Sequence, residues 1–259
     1  MDKKVILISI DGMRPDGMQQ CGNPFVKTLE AECAYCYTAR SMVPSVTLPC
    51  HMSMALSVAP SRHGILSNTY IPQVHNIKGV FERVADADGR CAIFYGWEPM
   101  RDIARPGAMQ FGRYIYSYAH ESVDTLLTDA ALEVIEEERP DLVFLYLVDT
   151  DEKGGHDNGW MSEEYLRRVS IALDNAKRVI DRFGEDYTVI ITADHGGHDR
   201  GHGSERPEDM VIPMFFRGKD FKAGPLAENC SLLDIAPTIT AVMGLSPVKE
   251  WEGHAVCNG

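Results

Sequence analysis

A chain of 259 residues with 44% hydrophobic and 24% charged side chains is long enough to bury one large core and too ordinary in balance for long disordered tails. Its formal net charge of −13 repels a polyanion over most of the surface, which excludes a nucleic-acid coat protein; a small phosphate ester stays open, because bound cations reverse the local sign at a site. No apolar run reaches membrane-spanning length and VILISI after MDKK is too short for a signal-peptide core, so the expectation is a cytoplasmic protein of one domain, 1–259.

KVILISI (4–10) reads as a buried strand closed by Asp11-Gly12. The following MRPDGMQQCGNPF, which contains Arg14, reads as loop, and residues 25–33 begin a short helix. Seven cysteines scattered from Cys21 to Cys257 form no disulfide framework, and the lone CxxC of Cys33 and Cys36 has no second pair at zinc-ribbon spacing; reduced, partly buried thiols are expected. In PSVTLPCHMSMALS (44–57), Thr47 can cap a helix from about Leu48, with Pro49 tolerated in the first turn. A hydroxyl and free amides at a helix N-terminus favour an anion, although a plain capping threonine would look the same. PSRHGILSN (60–68) is a loop ending in Asn68, followed by an amphipathic segment near 76–86, strand CAIFYG (91–96), Trp97 and an irregular stretch to about 119.

From Ser122 to Glu138, Leu126, Leu127, Ala130, Val134 and Ile135 keep a helical period, and Pro140 marks the stop. LVFLYLV (142–148) is a second fully apolar strand, closed by DTDEKGGHDNG. Ser162 opens a long helix whose apolar positions step by three and four as far as Phe183, with Gly184 as its C-terminal cap. Strand TVIITA (188–193) leads into TADHGGHDRGHG (192–203), strand MVIPMFFRG (210–218) follows, and SLLDIAPTITAVMG (231–244) reads as a helix. Strands alternating with helices predict an α/β fold with a mostly parallel central sheet covered by helices on both faces.

Three apolar strands therefore run straight into acids: Asp11, then Asp149 and Asp151, then Asp194. In a parallel sheet such ends share one edge, where α/β proteins place their ligands. His156, His195, His198 and His202 follow in glycine-rich loops. Carboxylate oxygen and imidazole nitrogen are ligands that divalent zinc or manganese accepts, and the glycines would let the backbone fold tightly around an ion.

ISIDGMRPD, PSVTLPCH, SRHGI, Asp151 with Gly155-His156, TADHGG…HG and LLDIAPT, in this order, resemble the alkaline phosphatase superfamily, specifically its type I phosphodiesterase/nucleotide pyrophosphatase branch. The resemblance implies two divalent ions, zinc with manganese as the alternative. One would be held by Asp11, Thr47, Asp194 and His195, the other by Asp151, His156 and His202. Family members usually space the second-site Asp and His one residue closer, which leaves Asp149 as a competing ligand, and His198 competes with His202. Where resembling diesterases carry Asn three residues beyond the threonine, this chain has Cys50. A sulfatase would need a modified Cys or Ser at the nucleophile and Arg four residues later, against Thr47 and His51 here. The implied function is hydrolysis of phosphodiester or nucleotide pyrophosphate bonds through a phosphothreonine at Thr47. The alternatives are a phosphomonoesterase, a phosphonate hydrolase, or a metal-binding homologue without turnover. Arg14, Asn68 and Trp97 are the expected substrate contacts, with Tyr70 beside Trp97 as a second aromatic candidate. The expected partner is a small-molecule phosphate ester rather than a nucleic-acid polymer or a membrane, and the oligomeric state stays open.

Overall fold

The computed structural model describes residues 1, 3–226 and 230–256, so Cys257 lies outside the described residues. In chain order the elements are β1 (Lys4–Ile10), α1 (Pro15–Gln20), α2 (Phe25–Glu32), β2 (Ala34–Arg40), α3 (Thr47–Leu56), α4 (Pro60–His63), α5 (Val80–Ala85), β3 (Cys91–Tyr95), β4 (Phe111–Tyr114) and α6 (Val123–Glu138). Then come β5 (Leu142–Leu147), a π-helical turn (Thr150–His156), α7 (Glu163–Phe183), β6 (Tyr187–Thr192), α8 (Pro207–Met210), β7 (Val211–Arg217), β8 (Gly224–Pro225) and α9 (Ile235–Val242). The strands form one sheet in the order β4-β3-β5-β1-β6-β7-β2-β8. Of the paired strands only β7 runs against its neighbours, β6 on one side and β2 on the other; the remaining pairs are parallel.

The central strands β1, β5 and β6 are buried almost end to end, which is why each reads as an unbroken apolar run rather than an alternating one. Helices α1, α2 and α6 pack with α7, while α3, α5 and α9 pack with one another. The helices thus cover both faces, as expected for a parallel sheet. Ser162 caps α7 by accepting a hydrogen bond from the Tyr165 amide at 3.1 Å, and Arg139, in the left-handed region, ends α6 just before Pro140.

Several local expectations fail for identifiable reasons. PDGMQQ forms α1 instead of loop: Pro at the first helical position and Asp16 in the first turn are start signals that outweigh the turn-like Pro-Asp-Gly. AYCYTAR, overlapping the CxxC, is strand β2; its burial alternates and its register shifts between Cys36 and Ala39, so it lacks the apolar run that marks its neighbours. Its Cys36 and the preceding Cys33 are buried. The stretch after Trp97 contains the short edge strand β4, largely exposed and therefore without a core pattern. The strand at 210–218 is present but antiparallel, and the helix at 231–244 is shorter, entered through a 3-10 turn at Leu232–Asp234. Among the described residues no helix is long and apolar enough to cross a membrane.

Candidate metal centre

Four chain segments deliver side chains to one edge of the sheet. Asp11 leaves β1 with its amide still donating to Leu147 O of β5 at 2.9 Å. Gly12, at φ +66°, then turns the chain; a Cβ there would lie 2.9 Å from Asp151 Oδ1, so glycine lets the two loops meet. The Gly12 amide donates to Asp194 Oδ1 at 3.2 Å. Strand β2 runs parallel to β6 across the intervening β7 and so carries Ser41 to the same edge, where its hydroxyl donates to Asp194 O. Thr47 follows six residues later at the first position of α3.

Within that edge, Asp11, Asp194 and His195 form one group whose ligand atoms lie within 4.8 Å of one another, and Asp151, His195 and His202 form a second. His195 is common to both. Its Nε2 is 3.4 Å from Asp11 Oδ1 and 3.2 Å from Asp194 Oδ2, and its ring stacks on His202 at 3.9 Å. The Thr47 hydroxyl lies 3.2 Å from His195 Nε2.

The hydrogen bonds of the imidazoles all point one way. His195 Nδ1 faces Gly196 O at 2.7 Å, His202 Nδ1 faces Ser45 O at 2.8 Å, and His156 Nδ1 faces Arg200 O at 3.0 Å. A carbonyl can only accept, so each Nδ1 carries the proton and each Nε2 offers a lone pair, which is how ligand histidines are held. On the acid side, Asp11 Oδ1, Asp151 Oδ1 and Asp194 Oδ2 are buried and without a hydrogen-bond partner. Burial pushes the three carboxyls up, reinforced by Asp194 at Asp11 and by Asp11 at Asp151; Asp194 reaches about 8. Burial and the neighbouring His202 push His195 well down, and burial lowers His202. Buried acids that repel one another, beside imidazoles kept neutral, form a donor set that a divalent cation satisfies. The residues present therefore fit a divalent metal centre.

The competing candidates lie in different surroundings. Asp151 and His156 stand five apart because a π-helical turn carries them: its wider winding absorbs the extra residue and leaves His156 Nε2 3.4 Å from Asp151 Oδ2. His156 lies outside the two tight groups and is the most exposed of the candidate ligands, its side chain 42% accessible. Asp149 points the other way, to Lys153 at 2.8 Å. His198 turns to the buried Asp209, with Nδ1 2.7 Å from Oδ1.

Thr47 is not a cap. The N-cap position belongs to Val46, and no side chain caps α3. In the first turn the Leu48 amide donates to Asn68 Oδ1 at 3.0 Å, Pro49 has no amide hydrogen, and the Thr47 amide has no acceptor among the described residues. Asn68 is exposed, and its Nδ2 likewise has no acceptor among them. Cys50 is fully buried, with Sγ 3.2 Å from Ser41 Oγ and burial pushing its thiol up to about 12. The asparagine at the first turn of α3, Asn68, thus comes from a separate loop. His51 is buried between Thr47 O and Ser9 Oγ. Arg14 forks onto Asp16 and donates to Gly197 O at 3.0 Å, which makes it a brace for the histidine loop. Trp97 and Tyr70 are half-buried against the core.

Sequence reading missed the outer partners. Tyr146, a buried β5 residue, donates its hydroxyl to Asp11 Oδ2. Asp209 accepts from the Ser204 amide and hydroxyl at 2.9 and 2.7 Å while its carbonyl accepts from the Gly196 amide, so it fastens both ends of the histidine loop. A tyrosine inside LVFLYLV and an acid after a proline carry no separate signal; only register and loop packing reveal them.

Residues 5–105 match the type I phosphodiesterase/nucleotide pyrophosphatase family, and residues 98–247, more than half of the chain, match the metalloenzyme superfamily. Mouse ectonucleotide pyrophosphatase/phosphodiesterase family member 1 is 25% identical over 74% of this chain and 24% of its own length. A phosphopentomutase from Edwardsiella ictaluri is 31% identical over 47% of the chain and 30% of its own length, so the chain spans well under half of these relatives. Among solved structures, murine ectonucleotide pyrophosphatase/phosphodiesterase 5, as an inactive form in complex with AMP, superposes with a TM-score of 0.78 over 97% of this chain and 96% of that one at 13% identity. A phosphonate monoester hydrolase from Silicibacter pomeroyi gives 0.76 over 98% and 76% at 14% identity. With the sheet, the edge cluster and a match running from His156 through His202 in agreement, the chain belongs to the metalloenzyme superfamily.

Proposed function

We propose that the chain is a two-metal hydrolase that cleaves phosphodiester or nucleotide pyrophosphate bonds of a small phosphate ester through a covalent phosphothreonine at Thr47. The observation that carries this reading is the Thr47 hydroxyl, which caps nothing and instead lies 3.2 Å from His195 Nε2 in the acid and histidine cluster. Asp11, Thr47, Asp194 and His195 would hold one ion and Asp151, His156 and His202 the other; this mixed oxygen and imidazole set suits zinc, with manganese the alternative. Two such cations stabilise charge on the attacking and leaving oxygens of an in-line displacement.

The chain's own residues do the rest. Thr47 Oγ1 forms the bond to phosphorus as the bond to the leaving oxygen breaks; the hydroxyl proton passes to solvent and the leaving group takes one from water. Water then displaces Thr47 from phosphorus, and the hydroxyl is restored. The free Thr47 amide and the Nδ2 hydrogens of Asn68 are the donors available for the non-ester oxygens, aided by the α3 N-terminus. Both donors are neutral, and Arg14 is engaged elsewhere. A diester, with one terminal charge fewer than a monoester, asks less of such a site, which supports diesters over monoesters.

Thr47→Ala tests the nucleophile. Turnover should fall by at least about a thousandfold with little loss of stability, and mass spectrometry of acid-quenched wild type should show a phosphoryl adduct on the Thr47 peptide. Full activity in the alanine variant would end the covalent reading. Matched p-nitrophenyl mono- and diesters test the substrate class. A tenfold monoester advantage in kcat/KM, about 1.4 kcal/mol, would move the assignment to a phosphomonoesterase.

A further inference from the structure

Three glycines that sit beside candidate ligands do something other than wrap an ion: they make room for one indole. Trp160 lies between the π-helical turn and α7 and is 7% exposed. A Cβ on Gly155 would fall 2.5 Å from its Cη2, one on Gly197 would fall 2.2 Å from Cε2, and one on Gly12 would fall 3.3 Å from Cζ2. The first two approaches are closer than any side chain tolerates, so the loops after β5 and β6 are glycine where they meet this ring, and the loop after β1 touches its edge. Each contact adjoins a candidate ligand: Gly12 follows Asp11, Gly155 precedes His156, and Gly197 lies two residues after His195.

Trp160 is also bonded to two of the three loops. Its Nε1 donates to Gly12 O at 2.9 Å and its amide donates to Asp199 O at 2.8 Å. Its ring meets His156 edge to face at 5.3 Å and His202 at 5.9 Å. The Tyr165 hydroxyl, on α7 behind the ring, donates to the same Gly12 O at 2.9 Å.

We infer that Trp160 is a positioning residue that sets the ligand-bearing loops after β1, β5 and β6 against one another, and that its indole reports ion binding at the centre. The inference rests on the metal reading above. A ring packed on three loops fixes how far His156 can stand from His202 and how Asp11 is presented to both; a smaller side chain lets the loops move independently. Residues that orient ligands without touching the ion typically change metal affinity 10- to 100-fold when replaced.

The test uses the full chain with Co²⁺ as the probe, since it follows ligand chemistry close to that of zinc and quenches tryptophan. Wild type should lose fluorescence saturably on Co²⁺ addition and recover it with EDTA. Trp160→Phe should bind Co²⁺ about tenfold more weakly, by competition with a chromophoric chelator, and should lose most of the fluorescence change; Trp160→Leu should bind about 100-fold more weakly. Trp251→Phe is the control: it removes an indole whose Nε1 donates to Lys78 O at 2.9 Å, and it should keep both the affinity and the Co²⁺ response. Trp160→Leu with affinity within about twofold of wild type overturns the inference, as does Trp160→Phe with the full wild-type response. If the leucine variant does not fold, the phenylalanine variant alone decides. Wild type that binds no Co²⁺ overturns the metal reading and this inference together, and the wild-type titration identifies that failure directly.

Discussion

Asp151 and Asp149 leave the same strand two residues apart and enter opposite electrostatic environments. Asp151 faces Asp11, Asp194 and His195 across a buried space with no lysine or arginine in the two candidate ligand groups. Asp149 faces Asp124, another buried acid, but Lys153 lies 2.8 Å away and Arg168 3.9 Å away. The Lys153 ammonium also donates to His120 O and Glu121 O, which holds it beside Asp149. Burial raises the carboxyls in both places, but around Asp149 the chain supplies its own cations, which pull that carboxyl back down. An acid at the end of a parallel strand is thus not yet a ligand. What marks a candidate ligand is a neighbourhood that concentrates negative charge and leaves the cation to come from outside.

The sharpest way to break this contrast is to neutralise each acid in turn. Asp151→Asn should lower kcat/KM by about a thousandfold or more, well beyond the 10- to 100-fold of an outer partner, and should weaken metal binding in parallel. Asp149→Asn should keep activity within about tenfold while losing on the order of 3 kcal/mol of stability, because it takes from Lys153 its one buried carboxylate partner, whereas Arg168 keeps Glu121 and Glu164. Equal losses of activity in the two variants would put both acids in one functional site.

Chelation separates the two regions by stability. An ion present at 100 times its Kd contributes about 2.7 kcal/mol to folding, and excess EDTA removes it. Lys153→Met should lower stability by about 3 kcal/mol, yet leave the EDTA-dependent loss the same size as in wild type, because the cation it removes does not serve the metal centre. Denaturant unfolding with and without chelator measures both quantities on one sample.

Much of this was legible in the sequence, and the limits follow from geometry. β1, β5 and β6 announce themselves because a central parallel strand is buried on both faces, and their terminal acids inherit that visibility. β2 is half-buried and alternating, so the strand that carries Ser41 toward Thr47 is not legible in the sequence, and a plain capping role for Thr47 stays open there. Where Asp149 and Asp151 point depends on how a seven-residue turn is wound, and the five-residue spacing from Asp151 to His156 carries no signal that the turn is π-helical. Trp160 is invisible for another reason, since its partners are single glycines in three segments far apart in the chain.

A smaller effect probes how the candidate ligand acids are held. Tyr146→Phe deletes only the hydroxyl that engages Asp11 Oδ2, freeing that carboxylate to rotate away from the cluster. Metal affinity should fall about tenfold, or about 1.4 kcal/mol, with little change in stability once the ions are removed. Unchanged affinity would make the tyrosine a core residue whose hydroxyl happens to find an acid.

The smallest effect comes from a histidine on the other side of the contrast. His63 is 2% exposed, and both of its nitrogens are satisfied by the protein: Nδ1 accepts from the Ile65 amide at 3.1 Å, so Nε2 carries the hydrogen and donates to Ser53 Oγ at 3.0 Å. His195, by contrast, has its Nδ1 spent on a carbonyl and its Nε2 left among acids. Burial pushes His63 down to about 4 from an ordinary value of 6.5, because a second proton would face the Ile65 N–H inside the fold. Between those values the unfolded chain binds a proton that the folded chain refuses, so stability rises with pH: the contribution is fully present above 6.5 and is lost as pH falls toward 4. From pH 7 to 5.5 the loss is about 1 kcal/mol from this residue. His63→Asn keeps an oxygen for the Ile65 amide and cannot titrate, so that part of the slope should vanish even though the variant is less stable throughout. Urea unfolding of the EDTA-treated protein at the two pH values keeps the ligand histidines' metal chemistry out of the measurement. A wild-type slope that survives intact in the asparagine variant would place the acid sensitivity elsewhere in the fold.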